Sequence, residues 1–156
     1  MNAVCSEAVH RLLQDCFDKV WTHYIVEGNP HSYVDHSCHD GDCAYRGGSG
    51  ARCAIGVLMK DEFYDESMEG DCVETLLSID DGWDWVFSLA DEVPGLTEAD
   101  KRAIPVSYFV DLQRAHDRAA TKIERRKEAG ESHDPREIMG AALEHARVIW
   151  KLEVPQ

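Results

Sequence analysis

Five residues with zinc-binding side chains, His36, Cys38, His39, Cys43 and Cys53, fall within eighteen positions of this 156-residue chain. Thiolate and imidazole are the donors zinc prefers, and the run Gly47-Gly-Ser-Gly50 can fold such donors round a tetrahedron. Cys38, His39, Cys43 and Cys53 form the candidate set for a structural zinc ion. Four residues separate Cys38 from Cys43 and nine separate Cys43 from Cys53, which departs from the two-residue knuckle of many zinc sites. The competing reading makes these cysteines small buried apolar residues.

Cys53 also has the setting of a nucleophile. It follows Gly50-Ala-Arg52 at a predicted helix start, where unpaired amides and the helix dipole, helped by Arg52, favour a thiolate. Its base would come from His31, His36, His39 or His116. The apolar run Ala54-Ile-Gly-Val-Leu58 argues instead that Cys53 enters the core. A third chemistry lies in Leu112-Gln-Arg-Ala-His-Asp117 on a predicted helix, whose His116-Asp117 pair is similar to the ligands of all-helical metal-dependent phosphohydrolases. Such an enzyme also needs a second histidine and a distant aspartate in the same cluster.

Charge points elsewhere. The net charge is −14, and residues 60–100 carry fourteen acidic side chains against one basic, while residues 101–156 carry nine against eleven. The excess therefore sits in one stretch, which disfavours phosphate contact there and favours a basic partner. Asp61, Glu62, Asp65, Glu66 and Glu69 would share a face if helical, as a magnesium site or a partner surface. Asp80, Asp81 and Asp84 surround Trp83 and Trp85, and aromatics among acids suit an Arg- or Lys-rich partner. The lone basic cluster, Lys122 to Lys127, is interrupted by Glu124 and lacks aromatics, so it reads as a solvated helix end and not as a nucleic-acid surface.

The elements that must position these residues are helical. Apolar positions from Val4 to Val26 recur at three and four residues until Gly28 and Pro30 stop the helix. Residues 31–50 have no periodicity and form a loop-rich insertion. Short helices are predicted over Arg52 to Met59, from Asp71 as cap with Glu74 in a capping box through Ile79, over Trp83 to Val93, and from Thr97 to Pro105. A longer helix starts at Ser107, buries Phe109, Leu112, His116, Ala119 and Ile123, and frays after Glu124. The last begins at the Asp134-Pro135 cap and buries Ile138, Met139, Ala142, Leu143, Ala146, Ile149 and Trp150. The expectation is a single all-α domain of about six helices.

No apolar run approaches the roughly 20 residues of a membrane helix, and Met1-Asn-Ala-Val lacks the basic start of an export signal. Six cysteines in such a chain are expected as reduced thiols in the cytoplasm.

The segment Cys43, Tyr45, Arg46, Gly50, Arg52, Cys53, Ala54, Gly56, Asp61, Glu62, Tyr64, Met68, Glu69 and Gly70 resembles a motif of small uncharacterised proteins encoded by bacteria and their phages. Leu112, Gln113, His116 and Asp117 fit the same resemblance. It implies a phage-associated or mobile-element protein and brings no activity with it. His36, Cys38 and His39 lie outside the pattern, which weakens a zinc site common to such proteins. The reading favoured by the charge is an acidic protein-binding module, such as a phage-encoded inhibitor or nucleic-acid mimic acting on a basic surface. The alternatives are a metal-dependent hydrolase, a cysteine-dependent enzyme and a zinc-stabilised structural protein.

Overall fold

The computed structural model describes residues 5–33 and 44–155. These form seven α-helices joined by short 3-10 turns, with no β-strand among the described residues. The all-α expectation holds, and the buried residues belong to one continuous core.

Helix α1, Glu7–Trp21, is capped by the Ser6 hydroxyl, which accepts from the Val9 amide at 3.2 Å. Its apolar stripe, Val9, Leu12, Leu13, Cys16, Phe17 and Val20, is buried, as the spacing predicts. The helix then widens into a π-helical turn, Thr22–Val26, which carries Tyr24 inward. There the Tyr24 hydroxyl donates to the Arg52 carbonyl at 2.6 Å. Gly28, at φ +69°, ends the element.

Helix α2, Ala54–Leu58, is only five residues long and survives by being packed on nearly every side. Gly56 allows this, because a Cβ there would collide with the Tyr45 carbonyl. Two 3-10 turns follow, Asp61–Phe63 and Glu66–Met68, so the carboxylates of 61–69 do not share a helical face. Helix α3 is a single turn, Val73–Leu76, with Cys72 and not Asp71 at its cap. The predicted capping box is absent there, and the chain turns early because Gly82 packs against the Leu76 carbonyl. A 3-10 turn at Asp80–Trp83 leads into α4, Asp84–Ala90.

Helix α5, Glu98–Arg102, does form a capping box: Thr97 and Asp100 satisfy each other's backbone amides. The Ser6 hydroxyl donates to Asp100 at 2.6 Å and ties α5 to the start of α1. Helix α6, Val106–Glu128, is the spine, burying Phe109, Leu112, His116, Ala119 and Ile123. It does not fray after Glu124; it continues to Glu128, and Gly130 at φ +68° makes the turn. Helix α7, Pro135–Trp150, starts at the Asp134 cap and pairs with α6 as a hairpin. Ile149, predicted in the core, is exposed, while Trp150 turns inward, packs edge-on against Tyr108 and donates to Asp111 at 3.1 Å.

Gly56→Ala is expected to destabilise the fold by about 3 kcal/mol, since the neighbour that must yield is backbone and not a flexible side chain. Urea unfolding of the purified variant measures this, and an unchanged midpoint would contradict the close approach.

Candidate functional site

The motif residues form a mesh around one carboxylate. Glu69 accepts from the backbone amides of Tyr45 and Arg46, each at 2.9 Å, and from the Tyr64 hydroxyl at 2.9 Å. The Arg46 guanidinium lies over the Tyr64 ring at 4.2 Å and pairs with Asp61 at 2.7 Å. Arg52 reaches the same Asp61 at 3.5 Å. Asp65 caps the turn after it, accepting from the Ser67 amide at 2.8 Å, and the Ser67 side chain first, then that amide, hold its carboxyl below the usual range. Asp61, Asp65 and Glu69 are therefore spent on local structure.

The remaining acidic residues behave differently. Of the fourteen carboxylates between 60 and 100, Glu62, Glu66, Asp71, Asp80, Asp81 and Asp84 make no side-chain hydrogen bond or ion pair among the described residues, and all six are exposed. Three of them crowd one turn, where Ile79 stands 54% exposed directly before Asp80 and Asp81. Trp83, in the same turn, is half-buried: it stacks on Phe87 at 5.7 Å and donates to the Leu77 carbonyl at 2.9 Å. Trp85 is a correction to the sequence reading. It is 1% exposed, packs edge-on against Phe109 and belongs to the core, so it cannot meet a partner.

A second constellation is buried. His116, 1% exposed, faces Tyr24 at 5.5 Å and His31 at 6.5 Å between ring centres, and Tyr24 in turn faces His23 at 4.8 Å. The His116 Nδ1 lies 2.9 Å from Asp117, and since a carboxylate only accepts, that nitrogen carries the proton. Asp117 also accepts from Gln113 at 2.6 Å, while the Gln113 oxygen accepts from the Ile55 amide at 3.3 Å. The motif's two halves thus meet at α2. Burial pushes the Tyr24 phenol well above its usual range, and it stays a neutral donor. Burial also lowers His23 and His31, and in His31 the neighbouring His116 adds to the effect while Glu124, 3.2 Å away, opposes it.

Cys53 is 1% exposed at the N-cap of α2, its sulfur accepting from the Gly56 amide at 3.3 Å. This placement matches the core alternative for that residue. The other members of the zinc set, Cys38, His39 and Cys43, lie outside the described residues, as does His36. Among the described residues no group of three His, Cys, Asp or Glu side chains is placed to hold a metal ion.

The sequence reading missed one site. Asp117, Arg118, Thr121, Lys122, Arg125, Arg126 and Glu131 line an open groove of about 530 Å³ along the outer face of α6. The signal was present in the spacing of 118, 122 and 125, which puts three cations on one helical face. It was obscured because a helix expected to fray carries no face.

No helix among the described residues is long and apolar enough to cross a membrane. No protein-family model, curated protein or solved structure matches the chain.

Two outcomes follow from the buried polar groups. Glu69→Ala strips two backbone amides and a phenol of their acceptor and is expected to cost about 3 kcal/mol in denaturant unfolding. Glu69→Gln, which keeps one acceptor oxygen, should cost less; equal losses would assign the effect to charge alone. His23 and His31 have lowered values in the fold, so the unfolded chain, titrating at 6.5, takes up protons that the fold refuses. Stability is therefore full above the unfolded value, falls as pH drops through 6.5, and levels once the folded imidazoles protonate. The depressed carboxylates Asp65, Glu92, Asp100 and Glu144 act only at lower pH. An unfolding series between pH 7 and 5 should show the slope in wild type and a shallower one in His31→Gln.

Proposed function

We propose that the protein is a binding module that engages a basic surface of another protein through the acidic turn at 79–84, with Glu62 and Glu66 as further contacts. The observation that carries this reading is the division of labour among the carboxylates: the six exposed ones serve nothing within the described residues. Like charges held together without partners oppose folding, and Asp80, Asp81 and Asp84 are retained beside an exposed Ile79 all the same. An aliphatic side chain ringed by carboxylates offers a basic partner both an apolar anchor and charge complementarity. Trp83 adds an aromatic edge for an arginine.

The resemblance to small bacterial and phage proteins supports a narrower form, a phage-encoded inhibitor acting in the cytoplasm. A cationic groove built for nucleic-acid phosphates is one surface that such a turn would occupy, making the module a nucleic-acid mimic.

Capture from a bacterial lysate tests the reading. Immobilised wild-type protein should retain basic proteins at about 0.1 M salt and release them near 1 M, where screening shortens the reach of charge to about 3 Å. The Asp80→Lys, Asp81→Lys, Asp84→Lys triple variant should retain none of them. Identical retention by the two chains would end the proposal.

A further inference from the structure

The groove on α6 shares nothing with the acidic turn, and it carries a second ligand class. Arg118, Lys122 and Arg125 follow one another along its lining, and their side chains make no ion pair or hydrogen bond among the described residues. Their neighbours do: Arg126 is held by Glu131 at 3.9 Å and Lys127 by Glu124 at 3.6 Å. In a chain of net charge −14, carboxylates are abundant, yet these three cations are left open side by side. Cations at this spacing repel one another and weaken the helix, a cost that an anion in the groove would reverse.

We propose that this groove binds a small phosphate monoester, with the phosphate on Arg118, Lys122 and Arg125 and a hydroxyl of the same ligand on Asp117. Guanidinium forks match phosphate oxygens in pairs, and the half-buried Thr121 lines the same groove. The volume, about 530 Å³, is that of a small-molecule site. The lining also sets the ligand's length. Asp117 and Glu131 are carboxylates in the same groove, and a continuous phosphate backbone laid along it would meet their repulsion. A compact ligand with one anionic end and hydroxyl donors elsewhere avoids this, and Asp117, side chain half exposed, accepts from such a hydroxyl. A sugar phosphate or a mononucleotide has that pattern. Occupation of Asp117 would reach the interior, because its carboxylate also holds His116 and Gln113.

Calorimetric titration of the full chain with ribose 5-phosphate, AMP, inorganic phosphate and adenosine tests the assignment. The two phosphate esters should bind, inorganic phosphate should bind more weakly, and adenosine should not bind. Lys122→Glu and Arg125→Glu should each weaken the esters at least tenfold, whereas Arg102→Glu, exposed on α5, should change nothing. Asp117→Asn should weaken ribose 5-phosphate but leave inorganic phosphate unaffected, which separates ligand recognition from damage to the His116 pair. The proposal is overturned if neither ester binds, or if binding survives both charge reversals. Tighter binding of a single-stranded oligonucleotide than of AMP would also overturn it, as would a concentration-dependent dimer in sedimentation that Arg125→Glu abolishes, since a second copy would then be the occupant.

Discussion

Two stretches of backbone touch at Gly56 with no side chain between them, and the rest of the molecule is arranged to keep them there. The Tyr45 carbonyl occupies the space a Cβ would need, so the backbone at Tyr45 and the five-residue helix α2 are locked together. A helix that short has too few internal hydrogen bonds to persist alone. Its amides are instead taken up by the Cys53 sulfur at one position and the Gln113 side chain at another, which fixes α2 against α6. Glu69 completes the assembly from the far side by holding the Tyr45 and Arg46 amides.

The residues of this mesh therefore specify a scaffold. Tyr45, Arg46, Gly56, Asp61, Tyr64 and Glu69 are linked in one continuous set of contacts, and Gln113 ties α2 to it from α6 through the Ile55 amide. None of the exposed carboxylates Asp80, Asp81 and Asp84 belongs to that pattern. Substituting residues of a solvated turn does not disturb packing, so the turn at 79–84 can change without cost to this scaffold. His116 and Asp117 stand between these categories: they are packed into the mesh through Gln113, yet Asp117 opens onto the α6 groove.

Periodicity made the long elements legible. The stripes of α1 and α6 and the Asp134 cap of α7 lie where three- and four-residue spacing places them, because amphipathic helices of this length leave a repeated signature. The short elements were less readable. Asp71 and Glu74 have capping-box identities, but the turn after Val73 is cut short by tertiary packing of Gly82, which no local pattern records. The adjacent tryptophans were separable only in part: opposite phase implied different environments, and which one was core depended on Phe109, distant in sequence. Asp61 and Asp80 look alike as acidic residues in an acidic stretch. Their roles diverge because Arg46 and Arg52, brought back by the segment before α2, reach the first and nothing among the described residues reaches the second.

The opposed charges of the two surfaces act over different distances. At a physiological Debye length of about 8 Å, only the summed field extends far into solvent, and with a net charge of −14 that field is negative. A basic partner of the kind proposed would be drawn in from afar, at an encounter rate that falls as salt rises. The cations of the α6 groove contribute little at that range, being few and near Asp117 and Glu131. They act on an anion only once it is inside the groove, and the same long-range field discourages large polyanions from approaching at all. Added salt screens that repulsion, so on the proposed reading a small anion entering the groove would lose less to ionic strength than a basic protein docking on the acidic turn. The global charge thus discriminates by the sign and amount of a ligand's charge before either proposed surface would make contact.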